Sequence, residues 1–387
     1  MEFSGRTPSN LSLNRIALAI DRQLGGEYLD LTLSNPTKCG FQYPADLLKG
    51  LSRPENLIYE PHPLGLPEAR EAVAKYLGAH GTKPDPENLL LTASTSETYS
   101  FLFKLLGNPG VSFLVPHPGY PLFDYLLELD SLLPVPYLLR PEPGWPIDLV
   151  QLEQAILPAT KGLIVVSPHN PTGSFLNAQD EKNLMELCRK HALAYISDEV
   201  FSDFNYQGRP GLVSNPDVLV FRLGGLSKSL GMPQLKLSWI HMEGPAEAVR
   251  ECKERLELIA DTYLSLNTPV QTALPDLLAW APEFQKQVHQ RVKLNYRCLE
   301  GAFQDHGGVK ILPLQAGWYG LMEVMSGRTT EEEIVVELLE KHRVLVQPGA
   351  FYDFSKGKYL VLSLIPESGI FEEGIRRLKT GLSALGL

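Results

Sequence analysis

From Asn88 to Lys228 the chain repeats one unit: a short apolar run, a polar or Gly- and Pro-rich turn, then a stretch with helical spacing. The runs include LLLT, VSFLVP, LLPVPYLL, GLIVV, LAYIS and VLVF. Most are apolar throughout, without an in-and-out alternation, so both faces of each strand must be covered. Helices between successive runs supply that cover, and the pattern predicts an α/β fold with a mostly parallel sheet in a three-layer domain. Such sheets bind ligands beyond the carboxyl ends of their strands.

Thr95, Tyr120, Asn170, Asp198 and Lys228 all fall just after an apolar run. The pattern therefore brings five polar or aromatic residues toward one site. Lys228 stands in FRLGGLSKSLGMPQLKLSWI, where Gly224, Gly225 and Gly231 are expected to let backbone approach a ligand. Ser227 and Ser229 offer donors beside its amine. A lysine in this company loses its charge cheaply and can act as a nucleophile toward an aldehyde, giving a Schiff base. Upstream, Ser94-Thr95-Ser96-Glu97 leads from the strand ending at Thr92 into TYSFLFKLLG. Free N–H groups and hydroxyls converge at such a helix start, which makes it a phosphate cradle.

The flanking segments read differently. Apolar residues at Leu13, Ile16, Ala17, Ile20 and Leu24 predict a helix over 10–24, and YLDLTLSNPTKCGF predicts a short strand ending at Asn35-Pro36. Pro67-Glu68 opens a helix that ends near Gly78 or Gly81. The chain looks helical from Pro245 to Pro282, with a further long helix from Pro282 through Phe303. The remainder has an α+β pattern. The expected division is a large domain over 46–282 and a smaller α+β domain formed by both chain ends, 1–45 and 283–387.

Charge narrows the partners. Lys and Arg total 35 against 45 acidic residues, a formal charge of −10, so neither a nucleic acid nor an anionic membrane is an expected partner. Any bound anion must be held by local groups. Four scattered cysteines without metal spacing suit a reducing compartment. The opening MEFSGRTPSN lacks the apolar core of a signal peptide, and no apolar run approaches spanning length. A soluble cytoplasmic protein is the expectation.

The set Asn170-Pro171-Thr172-Gly173, Asp198 in SDEV and Lys228 resembles the fold-type-I pyridoxal-phosphate-dependent aminotransferases of class I/II. The resemblance runs from YEPHPLGLPEAR to VLVQPG. It implies that Lys228 carries pyridoxal 5'-phosphate as a Schiff base and then shuttles a proton. It further implies that Asp198 pairs with the ring nitrogen, Asn170 meets the phenolic oxygen and Tyr120 stacks on the ring. The phosphate would be met by Thr95, Ser96, Ser227 or Ser229, and Lys236. Tyr59 looks like the tyrosine that reaches the phosphate of the neighbouring subunit, which makes a homodimer the expected assembly. An amino donor and a 2-oxo acid acceptor would be the substrates.

The pattern also departs from its relatives. Lys236 stands where an arginine is usual, and Gln234 where a glycine is. Phe201 replaces a tyrosine that donates to the phenolic oxygen, which is expected to raise the pH at which the visible band titrates. Val361 in YLVLSLI takes the place of the arginine that clamps the substrate carboxylate, leaving Lys38, Arg209, Arg222 and Arg343 as unranked replacements. A lyase, decarboxylase or cyclase on the same fold stays open beside transamination. So does a non-catalytic cofactor-binding module, although relatives that regulate transcription carry a DNA-binding domain ahead of this fold, and the resemblance leaves no room for one here.

Overall fold

The structure, a computed structural model, describes residues 3–23, 26–79, 81, 84–208, 213–325, 327 and 329–387. Its strands are β1 (Leu29–Asp30), β2 (Leu89–Thr92), β3 (Ser112–His117), β4 (Leu133–Leu138), β5 (Thr160–Val166), β6 (Ala194–Asp198) and β7 (Val220–Gly225). They continue with β8 (Ser238–Glu243), β9 (Val309–Ile311), β10 (Tyr319–Val324), β11 (Val344–Leu345), β12 (Gln347–Pro348) and β13 (Tyr359–Ser363).

The seven-stranded sheet has the order β2-β8-β7-β6-β5-β3-β4. Each apolar run of the repeating pattern is one of its strands. Only β8 runs against the rest, pairing antiparallel with both β7 and β2. Its two reversals return β2 to the direction of β7, so the polar ends of β2, β3, β5, β6 and β7 share one edge. The sequence did not announce β8, because Ser238 and His241 interrupt its apolar run.

Residues on the two faces separate with the period of two that strands impose. Ile164, Ile196, Phe221 and Ile240 pack with Phe101, Phe103 and Leu256 on one side. Leu163, Val165, Tyr195 and Val220 pack with Leu184 and Met185 on the other. The result is three layers, as the pattern predicts.

The smaller sheet, β12-β13-β10-β9, is antiparallel throughout. A separate parallel pair, β1 with β11, ties the two ends of the chain together. Leu31 then donates its N–H to Leu345 O at 3.0 Å and accepts from Ser363 N–H at 2.7 Å. The expected strand through Leu33 is thus only two residues of ladder before the chain turns at Asn35, and the expected 10–24 helix covers Arg15–Arg22.

One expectation is overturned outright. The helix placed from Pro282 begins at Thr268 and runs 36 residues to Phe303, with Pro275 and Pro282 inside it. Proline deletes one backbone bond and crowds the preceding turn. Here burial on both sides of Pro282, at Leu278, Ala281, Phe284 and Gln285, outweighs that loss. The first half of this helix packs Val270, Leu274 and Leu277 with Val73 and Trp239. Its second half packs Phe284, Val288, Val292 and Leu299 into the core of the smaller sheet. Among the described residues no helix is long and apolar enough to cross a membrane.

Candidate active site

Asp198 ends β6 and is buried. Its Oδ2 accepts a hydrogen bond from the Tyr99 hydroxyl at 2.8 Å, and its Oδ1 accepts one from Val200 N–H at 3.1 Å. Burial raises its pKa above the ordinary carboxylate value, while the Val200 N–H, Tyr99 and the charge of Lys228 oppose that rise. Tyr99 comes from the helix Thr95–Leu106, one turn after Thr95. Its ring lies edge-on to Phe123 at 5.3 Å and tilted against Phe103 at 5.9 Å.

Lys228 sits on the next strand end, in the single turn Leu226–Ser229 that follows β7. Its Nζ lies 5.5 Å from the centre of the Phe201 ring and 5.3 Å from that of Trp318. Desolvation lowers its pKa, against the opposing charge of Asp198. An amine that gives up its proton more readily is available as a nucleophile near neutral pH. Trp318 reaches this place from the loop before β10 and packs edge-on against Phe201 at 5.1 Å. Phe201 is buried, and its bare ring offers no hydroxyl beside the amine.

Asn170 lies in the turn after β5, and its Oδ1 is buried without a partner among the described residues. The two ends of an amide are interchangeable in assignment, so the group has hydrogen-bonding capacity left to spend on a ligand. Tyr120 stands at the rim, 36% exposed, with its ring edge-on to Phe123 at 5.6 Å. Burial raises its pKa, then the charge of Asp198, then Tyr319, which places its hydroxyl in the same electrostatic neighbourhood.

At the start of the Thr95 helix, Ser94 accepts from Glu97 N–H at 3.1 Å, and Glu97 accepts from Ala93 N–H at 2.7 Å. These bonds set the turn and leave the half-buried Thr95 and Ser96 at a helix N-terminus, where N–H groups and dipole favour an anion. Of the two serines beside Lys228, Ser229 is committed: its hydroxyl donates to Gly225 O at 2.8 Å. Ser227 is half-buried. Lys236 is exposed in a left-handed backbone conformation, φ 53°, with no ion pair among the described residues.

The glycines of the lysine loop are also required by the protein's own packing. A Cβ on Gly224 would lie 2.5 Å from Trp239 Nε1, one on Gly225 2.4 Å from Ser238 Oγ, and one on Gly231 2.2 Å from Phe284 Cζ. They make room for β8 and for the long helix.

Val361 is fully buried in β13, paired across to Leu321 and Gln347. Among its proposed replacements, Arg222 is spoken for: it meets Glu199 at 2.7 Å, Glu243 at 2.8 Å, Glu181 at 3.5 Å and Val213 O at 2.6 Å. Arg343 packs against Gly26 where the chain ends meet, and Lys38 is exposed on a short turn after Asn35. Arg209 lies outside the described residues.

Sequence reasoning missed Tyr99 and Trp318. The first could have been found as the residue one helical turn beyond Thr95 on the buried face. No local signal marks the second. The donor set fits pyridoxal phosphate: a buried carboxylate for a ring nitrogen, an amine with a lowered pKa for an aldehyde, an amide with spare capacity, and a helix start for a phosphate.

The family model for aminotransferases of class I and II matches residues 26–359. An alanine aminotransferase of Mycobacterium tuberculosis is 27% identical over 372 residues, covering 92% of this chain and 85% of that one. A glutamate-pyruvate aminotransferase of Escherichia coli is 25% identical over 371 residues, covering 93% and 91%. In fold, an alanine aminotransferase from Pyrococcus furiosus matches with a TM-score of 0.88 at 24% identity, covering 99% of this chain and all of that one.

Proposed function

The chain belongs to the class I and II aminotransferases, enzymes that use pyridoxal phosphate, and on that premise we propose which of its residues do the work. The observation that carries the proposal is the pair at neighbouring strand ends: an amine with a weakened hold on its proton, beside a buried carboxylate. When bound, the cofactor supplies an aldehyde and an electron sink that stabilises negative charge at the substrate Cα. Lys228 is the amine that would hold that aldehyde, with water released. Freed by a substrate amine, it would be the base that takes a proton from Cα and the acid that returns it. Asp198 holds the ring-nitrogen proton in place. Asn170 spends its free amide on the phenolic oxygen, and Tyr120 covers the ring from the rim. Thr95, Ser96, Ser227 and Lys236 hold the phosphate.

We read the assembly as a homodimer. Leu57, Ile58 and Tyr59 are 90%, 67% and 73% exposed, a run of large side chains that a second copy would cover. Tyr59 would then reach the neighbouring site. Cys39, Cys188 and Cys252 are buried free thiols, which favours the cytoplasm. The domain division stays a proposal, 46–282 against 1–45 with 283–387, with the helix Thr268–Phe303 passing from one part into the other. The named relatives make alanine or glutamate with pyruvate or 2-oxoglutarate the first pairs to test. Val361 favours a second reading, a lyase, decarboxylase or cyclase, because a buried valine offers a substrate carboxylate no cation.

The test is to load the purified protein with pyridoxal phosphate, reduce it with borohydride and map the label. A yellow protein labelled at Lys228, losing its band to an amine while an oxo acid forms, supports the proposal. A colourless protein that takes up no cofactor ends it. Spectral change without transfer to any oxo acid moves the assignment to the second reading.

A further inference from the structure

We propose that Tyr99 is a positioning residue for Asp198, a role that rests on the cofactor-binding reading above: its hydroxyl holds one carboxylate oxygen so that the group stays ionised and fixed in plane. A buried tyrosine hydroxyl needs a partner, and here it takes a carboxylate from another element of the sheet layer, at 2.8 Å. Val200 N–H holds the other oxygen at 3.1 Å. Two donors on different oxygens fix the plane and leave a second lone pair on each for the ring nitrogen.

The need for this hydroxyl follows from what Lys228 does. Burial pushes Asp198 toward its neutral form, and the Lys228 charge is one of the influences that resist. Once the amine is spent on an aldehyde, the ammonium gives way to an imine, whose charge is lost as pH rises through its titration. Val200 N–H and Tyr99 remain, and a hydrogen bond to the charged form favours it. Tyr99 is itself pushed well above the ordinary phenol value, by burial first and by Asp198 next, so it remains a donor at any working pH. A neutral Asp198 could not balance a protonated ring nitrogen.

Tyr99→Phe removes only the oxygen and keeps the ring between Phe103 and Phe123. The expected result is about tenfold weaker binding of pyridoxal phosphate to the apoprotein, roughly 1.4 kcal/mol. With less positive charge on the ring, the imine nitrogen keeps its proton to higher pH, so the visible band titrates at higher pH than in wild type. The melting temperature of the apoprotein should change by only a few degrees. In an Asp198→Asn background the same substitution should cost no further affinity. A lower melting temperature with unchanged affinity and band would make the hydroxyl a structural one and overturn the proposal, as would an equal loss of affinity in both backgrounds. A wild-type protein that takes up no cofactor would instead defeat the functional reading on which it rests.

Discussion

Lys228 is boxed by two aromatic faces, Phe201 and Trp318, neither of which offers an acceptor to its amine. Cation attraction to the rings offsets a little of the cost of charge there, but desolvation prevails and the pKa falls. On the proposed cofactor reading, Phe201 would also withhold a hydroxyl from the phenolic oxygen. Phe201→Tyr should lower the midpoint of the visible band by about one pH unit, the size of one added hydrogen bond to the charged oxygen. A pH titration of both loaded proteins checks this, and equal midpoints would show that the hydroxyl does not reach. Lys228, Asp198 and Asn170 were legible because each is a polar residue ending an apolar run, where packing alone gives no reason for it. Tyr99 was not, since an aromatic on the buried face of a helix is ordinary. Trp318 was hidden for another reason: only the topology brings the loop before β10 to the end of β7.

Turns and strand ends decide whether those residues are held. His169, next to Asn170, is buried, with Nδ1 2.8 Å from Thr172 Oγ1. Burial drops its pKa from 6.5 to about 4. The unfolded chain binds a proton below 6.5 and the folded one only near 4, so stability is full above that window and falls as pH decreases through it. Wild type should lose about 2 kcal/mol between pH 7 and pH 5 from this group, and His169→Gln should remove that part of the slope, as read by urea unfolding at both pH values. Gly231→Ala attacks the lysine turn from behind. A left-handed φ of 64° and a Cβ 2.2 Å from Phe284 combine strain with overpacking. A loss of about 3 kcal/mol is expected by denaturant unfolding. The sequence pointed to this glycine for ligand access, and the fold adds a second demand on it, the neighbouring helix. Most strands were legible from runs that are apolar throughout. The course of β8 was not, because its polar residues face partners only the folded sheet supplies.

At the scale of the whole molecule, the cores of the larger and the smaller sheet were expected to part near residue 282, where a helix was expected to begin. Proline suggested the break, and local propensity does favour one there. Tertiary burial overrode it, and the helix Thr268–Phe303 belongs to both cores at once. A chain built this way has no seam along which half of it can melt. Stripping the smaller sheet exposes Phe284, Val288 and Val292 on a helix whose other half still anchors Leu274 and Leu277, so the loss of one core undermines the other. Calorimetry should therefore record one transition, with calorimetric and van't Hoff enthalpies equal per cooperative unit. Two resolved peaks would show that the helix frays at Pro282 and lets the cores part. The candidate site, which takes Lys228 from one sheet and Trp318 from beside the other, would then persist or vanish as a unit, with no half-folded form able to assemble it.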